Sequence, residues 1–157
     1  MLLKNYYLYA DHVELELPDG NFTTIYFTEA SGTIRWRYKI DKIIGTKTPH
    51  PGICFGEDIH GNEYYMHNHY ETGKPVIVSA SVFALGQPVY HATGPAINPP
   101  LEILRKGLDQ IISGEPYNAV NYNCQSFVNR ATSNINFSES VQKVFGAFVF
   151  GGLMLLG

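Results

Sequence analysis

Residues 50–69 read His50-Pro51-Gly52-Ile53-Cys54-Phe55-Gly56-Glu57-Asp58-Ile59-His60-Gly61-Asn62-Glu63-Tyr64-Tyr65-Met66-His67-Asn68-His69. Two apolar and aromatic runs, 50–56 and 63–69, flank the turn-forming cluster Asp58-Ile59-His60-Gly61-Asn62, so the stretch predicts a β-hairpin. Alternate residues of a strand share a face. His50, Gly52, Cys54 and Gly56 therefore fall on one side, with Ile53 and Phe55 on the other. A face of one histidine and small residues leaves room for a close neighbour. A helix carrying Cys124 is expected to lie there.

Outward from this hairpin, the N-terminal side reads as strands. Val13, Leu15 and Leu17 alternate with Glu14 and Glu16, Pro18-Asp19-Gly20-Asn21 signals a turn, and 22–27 returns as a second strand. Thr33 to Ile40 is a further alternating run around Trp36, and 76–79 and 87–91 are short strands. Helical patterns come later. Pro99-Pro100 suits a helix start, and Leu101, Leu104, Leu108 and Ile111 recur at helical spacing beside Ile112. Ser113-Gly114 ends that helix. A second helix is expected near Cys124, with Phe127, Val128 and Ala131 as its apolar face. Strands first and helices after predict a single α+β domain with an antiparallel sheet packed against helices.

Composition narrows the function. The chain has 157 residues, 14 acidic against 11 basic, and a net charge of −3, with 45% hydrophobic and 16% charged residues. Those values exclude a disordered chain or a coiled coil. The sequence holds no block of Lys and Arg, so binding of nucleic acid along a basic stripe is not expected. The N-terminus has no signal-peptide pattern. Two cysteines allow at most one disulfide, and the expectation is a cytoplasmic protein with free thiols. Val144–Gly157 carries no charged side chain but is shorter than the roughly 20 residues needed to span a bilayer. It is expected to be a core helix or an interfacial anchor holding the protein peripherally at a membrane.

Two residue types carry candidate chemistry. Cys124 lies in Asn123-Cys124-Gln125-Ser126-Phe127-Val128. At a helix N-terminus a thiolate is stabilised by the dipole and by free N–H groups, and the thiolate is the nucleophile. Asn123 is a suitable capping residue. Such a nucleophile needs a base. Of six histidines, His50 is the leading candidate, with His67 or His69 on the paired strand able to orient it through its second ring nitrogen. His67-x-His69 also fits a metal-binding pair. A third ligand would then have to come from His50 or Cys124 at the expense of catalysis, so no metal and no cofactor is expected. A Cys54–Cys124 disulfide is not expected, because Cys54 lies four residues from His50, roughly 13 Å at strand rise.

These motifs together resemble the lecithin retinol acyltransferase-like family, a permuted papain-like group related to NlpC enzymes. His50-Pro51-Gly52-Ile53-Cys54-Phe55-Gly56 resembles its H-x-[AG]-[IV]-Y-x-G strand. Tyr64-Tyr65-Met66-His67-Asn68 resembles the strand ending in a second His, and Asn123-Cys124-Gln125-Ser126-Phe127-Val128 resembles N-C-E-H-F-V. The order His, His, Cys is the family's, an apolar C-terminal segment is a family trait, and the resemblance covers about residues 40–157.

The resemblance implies a circularly permuted papain-like fold: a β-rich N-terminal extension over 1–40, a catalytic core over 41–137 and an apolar segment over 138–157. It implies Cys124 as nucleophile, His50 as base and His67 as the orienting residue, with Asn123, Gln125 and His69 as candidates on the substrate or oxyanion side. The implied activity is a thiol acyl hydrolase or acyltransferase that forms an acyl-enzyme, phospholipase-like, on a lipid ester. The alternatives are a peptidase or amidase on peptide substrates, as in sister families that cut cell-wall peptides, or a binding module that keeps the fold. A bacterial setting is part of the same resemblance. Gln125, Ser126 and Cys54 depart from the family's Glu, His and Tyr. They bear on substrate specificity rather than on the triad.

Overall fold

The computed structural model describes residues 1–40, 45, 47–92 and 96–133, excluding the side chain of Ile40. It is an α+β structure built on one open sheet. The strands are β1 (Asn5–Leu8), β2 (His12–Glu16), β3 (Phe22–Tyr26), β4 (Ile34–Ile40), β5 (Lys47–Glu57), β6 (Glu63–Asn68), β7 (Pro75–Ser79) and β8 (Tyr90–His91). The helices are α1 (Ala80–Ala84), α2 (Pro100–Ser113) and α3 (Cys124–Ser133). All described pairings are antiparallel.

The long strand β5 is the centre of the sheet. It pairs with β4 from Lys47 to Ile53 and meets β3 at Glu57, opposite Tyr26. Its other edge takes β6, which in turn takes β7. The β5–β6 hairpin forms as the sequence predicts. Asp58 closes its loop by accepting from the backbone N–H groups of His60 and Asn62, and Gly61 supplies a left-handed residue at φ 79°. The register shifts between Cys54 and Gly56, a bulge that bends the strand there.

The apolar face of β5 and β6 carries the main core. Ile53, Phe55 and Met66 join Val13, Leu15 and Ile25 from the N-terminal strands with Leu104, Leu108 and Phe127 from the helices. Gly107 lets α2 approach β6 closely, since a Cβ there would lie 2.9 Å from Met66 Cε. Within α2, Leu104, Leu108 and Ile111 are buried as their spacing predicts. Leu101 and Ile112 instead remain 41% and 40% exposed, and Ile103 takes the inward place. In α3, Phe127, Val128 and Ala131 are buried as expected.

Two findings depart from the sequence reading. Helix α1 was not anticipated. It has five residues, too few for a periodic pattern, and is set by Ser79 Oγ accepting from Val82 N–H. The expected docking of the Cys124 helix on the His50–Gly52–Cys54 face is also corrected. Phe83 of α1 occupies that face, where a Cβ on Gly52 would lie 2.5 Å from the Phe83 ring. The apolar face of α3 packs on the opposite side, with Ile53 and Phe55. The physical reason is parity: the apolar residues of β5 attract the larger helices, and the small-residue face has room for a single ring.

Both cysteines are free and buried. Among the described residues no helix is long and apolar enough to cross a membrane. The apolar segment Val144–Gly157 lies outside the described residues.

Candidate active site

The geometry of the hairpin brings three histidines together. His50 pairs across the sheet with Arg37 of β4, and His67 lies on β6 with its side chain toward His50. His50 Nε2 and His67 Nδ1 are 2.8 Å apart, a hydrogen bond between the two rings. The rings stand nearly perpendicular, 5.1 Å between centroids. His69 completes the cluster by ring contact, 5.1 Å from His50 and 5.8 Å from His67. Its Nδ1 accepts from the Glu71 N–H at 3.2 Å. Of the two candidates for an orienting residue, His67 is therefore the one hydrogen-bonded to His50.

Phe83 seals this cluster, 5.7 Å from His50 and 5.6 Å from His67. His50 is fully buried and His67 is 4% exposed. His50 Nδ1 and His67 Nε2 have no hydrogen-bond partner among the described residues. Burial holds both rings well below the ordinary imidazole pKa, His67 at about 3, and the neighbouring histidines and Arg37 push in the same direction. His69 is shifted down for the same leading reason. All three are neutral at pH 7.

Cys124 opens α3, as the sequence predicts. Asn123 caps it: its Oδ1 accepts from the N–H groups of Gln125 and Ser126 at 3.0 and 3.1 Å. Ser126 Oγ in turn accepts from the Asn123 N–H at 2.6 Å. This is a reciprocal cap with serine in the third helical position, and it gives Ser126 a structural task. The Asn123 carboxamide also donates to Ala119 O at 3.0 Å. Asn123, expected on the oxyanion side, holds the helix start through these bonds. The β6 strand is tied to the same loop, since Asn68 Nδ2 donates to Tyr122 O at 3.2 Å and to Asn123 O at 3.4 Å.

The cysteine and the histidines are not joined directly. No hydrogen bond links Cys124 to His50 among the described residues. Lys39 Nζ is instead 3.5 Å from Cys124 Sγ. Lys39 and Arg37 are the two site residues that sequence reasoning missed. They alternate with Trp36 and Tyr38 along β4, and cross-strand register places Arg37 opposite His50 and Lys39 opposite Thr48. Arg37 is 3% exposed and donates to the backbone carbonyls of Phe83 and Tyr38. The alternation was visible in the sequence, but the pairing that turns it toward the histidines was not.

The electrostatics of Cys124 oppose one another. Burial pushes its thiol pKa up; Lys39 and the N–H groups of Gln125 and Cys124 itself pull it down, without fully offsetting burial. Arg37 and Lys39 act on both halves of the site. They disfavour protonation of His50 and favour a charge on Cys124. Two cations beside the histidines make the cluster a poor cation site. Among the described residues no group of three His, Cys, Asp or Glu side chains is arranged to hold a metal ion. No protein-family model, curated protein or solved structure matches the chain.

Proposed function

We propose that the protein is a cysteine-dependent acyl hydrolase or acyltransferase on a permuted papain-like fold, acting first on a lipid ester. The observation that carries this reading is a buried His50 whose Nε2 is held by His67 and whose Nδ1 has no partner among the described residues, on the same fold as a Cys124 that opens a capped helix. When His50 Nε2–H donates to His67, Nδ1 is the unprotonated nitrogen and can accept a proton.

The Cys124 thiol gives up its proton, and the thiolate attacks the acyl carbonyl, forming a C–S bond. In this reading the Cys124 N–H at the start of α3 serves the developing oxyanion, since Asn123 takes those of Gln125 and Ser126. The C–O bond breaks, and the leaving oxygen takes a proton from solvent. Water or an acceptor hydroxyl or amine then gives a proton to His50 and attacks the thioester. The C–S bond breaks and the thiol is restored.

The test is incubation with a short-chain p-nitrophenyl ester and, in parallel, with phosphatidylcholine vesicles. An acyl adduct on Cys124, read by mass spectrometry, and loss of turnover by at least about a thousandfold in Cys124→Ala are expected. Equal turnover in Cys124→Ala overturns the proposal. A second reading, a non-catalytic binding module that keeps the fold, has one observation in its favour: Cys124 is only 3% exposed and is bonded to Lys39 rather than to His50. Absence of any adduct with ester and peptide substrates alike selects it.

A further inference from the structure

We propose that Lys39 is the counter-ion of the Cys124 thiolate, so that the nucleophile is charged through a Cys124–Lys39 pair and not through a Cys124–His50 pair. This inference deepens the acyl-transfer reading and rests on it for its role in turnover, but the pair itself is tested without any acyl substrate.

The geometry comes first. Lys39 Nζ is 3.5 Å from Cys124 Sγ, the distance of a charge-assisted contact to sulfur. The partner is fixed by strand register, because Lys39 follows Arg37 by two residues and so shares its face of β4. Arg37 lies behind it, buried and bonded to carbonyl oxygens, a permanent positive charge that also favours an anion at Cys124.

The remaining titratable groups agree. His50, His67 and His69 are neutral at pH 7 and supply no charge to the thiolate. Glu71, beyond β6, interacts with Arg37 and offsets part of its charge. An imidazolium at His50 would face both Arg37 and Lys39, whereas a thiolate faces them with opposite sign. The cations therefore make the usual thiolate–imidazolium pair costly and a thiolate–ammonium pair favourable. Ionisation breaks the S–H bond and releases the proton to solvent, and the thiolate left behind faces Lys39 Nζ at 3.5 Å. His50 is then left as a neutral base that accepts the proton of the acceptor, while the leaving oxygen takes its proton from solvent.

The experiment is the pH dependence of iodoacetamide alkylation at Cys124, read by mass on the peptide that contains it so that Cys54 does not contribute. Wild type, Lys39→Met, Lys39→Arg and His50→Gln are compared, with near-ultraviolet circular dichroism confirming folding. Lys39→Met is expected to raise the alkylation midpoint by at least about one pH unit, about a tenfold loss of rate below it. Lys39→Arg keeps the charge and restores the wild-type midpoint. His50→Gln removes the proposed base, and with it acyl turnover, but leaves the midpoint in place. A Lys39→Met profile that superimposes on wild type, or a His50→Gln shift of the same size, overturns the pair. A chain that acylates nothing yet shows the Lys39→Met shift keeps the ion pair and loses only the acyl-transfer reading.

Discussion

Ile53 and His50 lie on the same strand, both fully shielded from solvent, and they act on stability in opposite directions. Ile53, with Phe55 and Met66, faces the helices, where each buried side chain contributes about 1.5–3 kcal/mol. His50, with His67 and Arg37, faces Phe83. There burial costs free energy wherever a polar atom has no partner, and two ring nitrogens have none among the described residues. One face of the hairpin holds the fold together and the other stores polar groups that the fold does not need. Concentrating unpartnered polar atoms in one place, supported from behind by a dry core, is how a site is held open for chemistry.

The comparison breaks most visibly on the apolar side. Phe55→Ala is expected to cost about 3–5 kcal/mol, read from the urea midpoint at constant slope. A loss under about 1 kcal/mol would mean that this face does not carry the core. On the polar side, acid is the lever. Both His50 and His67 have folded pKa values depressed below the unfolded value, His67 to about 3. Their contribution is therefore complete above about pH 6.5. It declines as pH falls from there toward 3, by up to about 1.4 kcal/mol per pH unit for each ring. Denaturation midpoints should hold level from pH 7.5 to about 6.5 and fall from there to pH 5, and His67→Gln should reduce that slope. A flat profile contradicts two buried neutral rings.

The junction of the two faces gives the smallest effect. Gly52→Ala drives a methyl group to 2.5 Å from the Phe83 ring and 3.1 Å from Met66 O, so a loss of about 1–3 kcal/mol is expected. The loss should shrink when Phe83 is replaced by Leu, because the ring is the atom group that must move. Equal losses in both backgrounds would show that the ring is not what limits the site.

Much of this was legible in the sequence. The β5–β6 hairpin, the strand at Val13–Leu15, the helix at Leu104–Ile111 and the start of α3 at Cys124 follow from local periodicity and capping, which act over a few residues. That His50 meets a histidine of the paired strand was legible because parity and a short turn fix which residues of a hairpin can meet, whereas the choice of His67 over His69 came only from the structure. Helix α1 was not legible, since five residues carry no period. Nor was the face on which α3 packs, which depends on how much apolar area each side of β5 offers. Lys39 and Arg37 escaped because β4 precedes the hairpin and the 41–46 connection does not dictate its register.

By itself, then, the sequence determined the class of structure, the hairpin and the capped cysteine, because hydrogen bonding, alternation and helix capping are short-range. Only the tertiary structure decided what surrounds the cysteine. The pairing of β4 with β5 turns two cations toward it, and Phe83 closes over the histidines; both depend on long-range packing and on the low dielectric that burial creates.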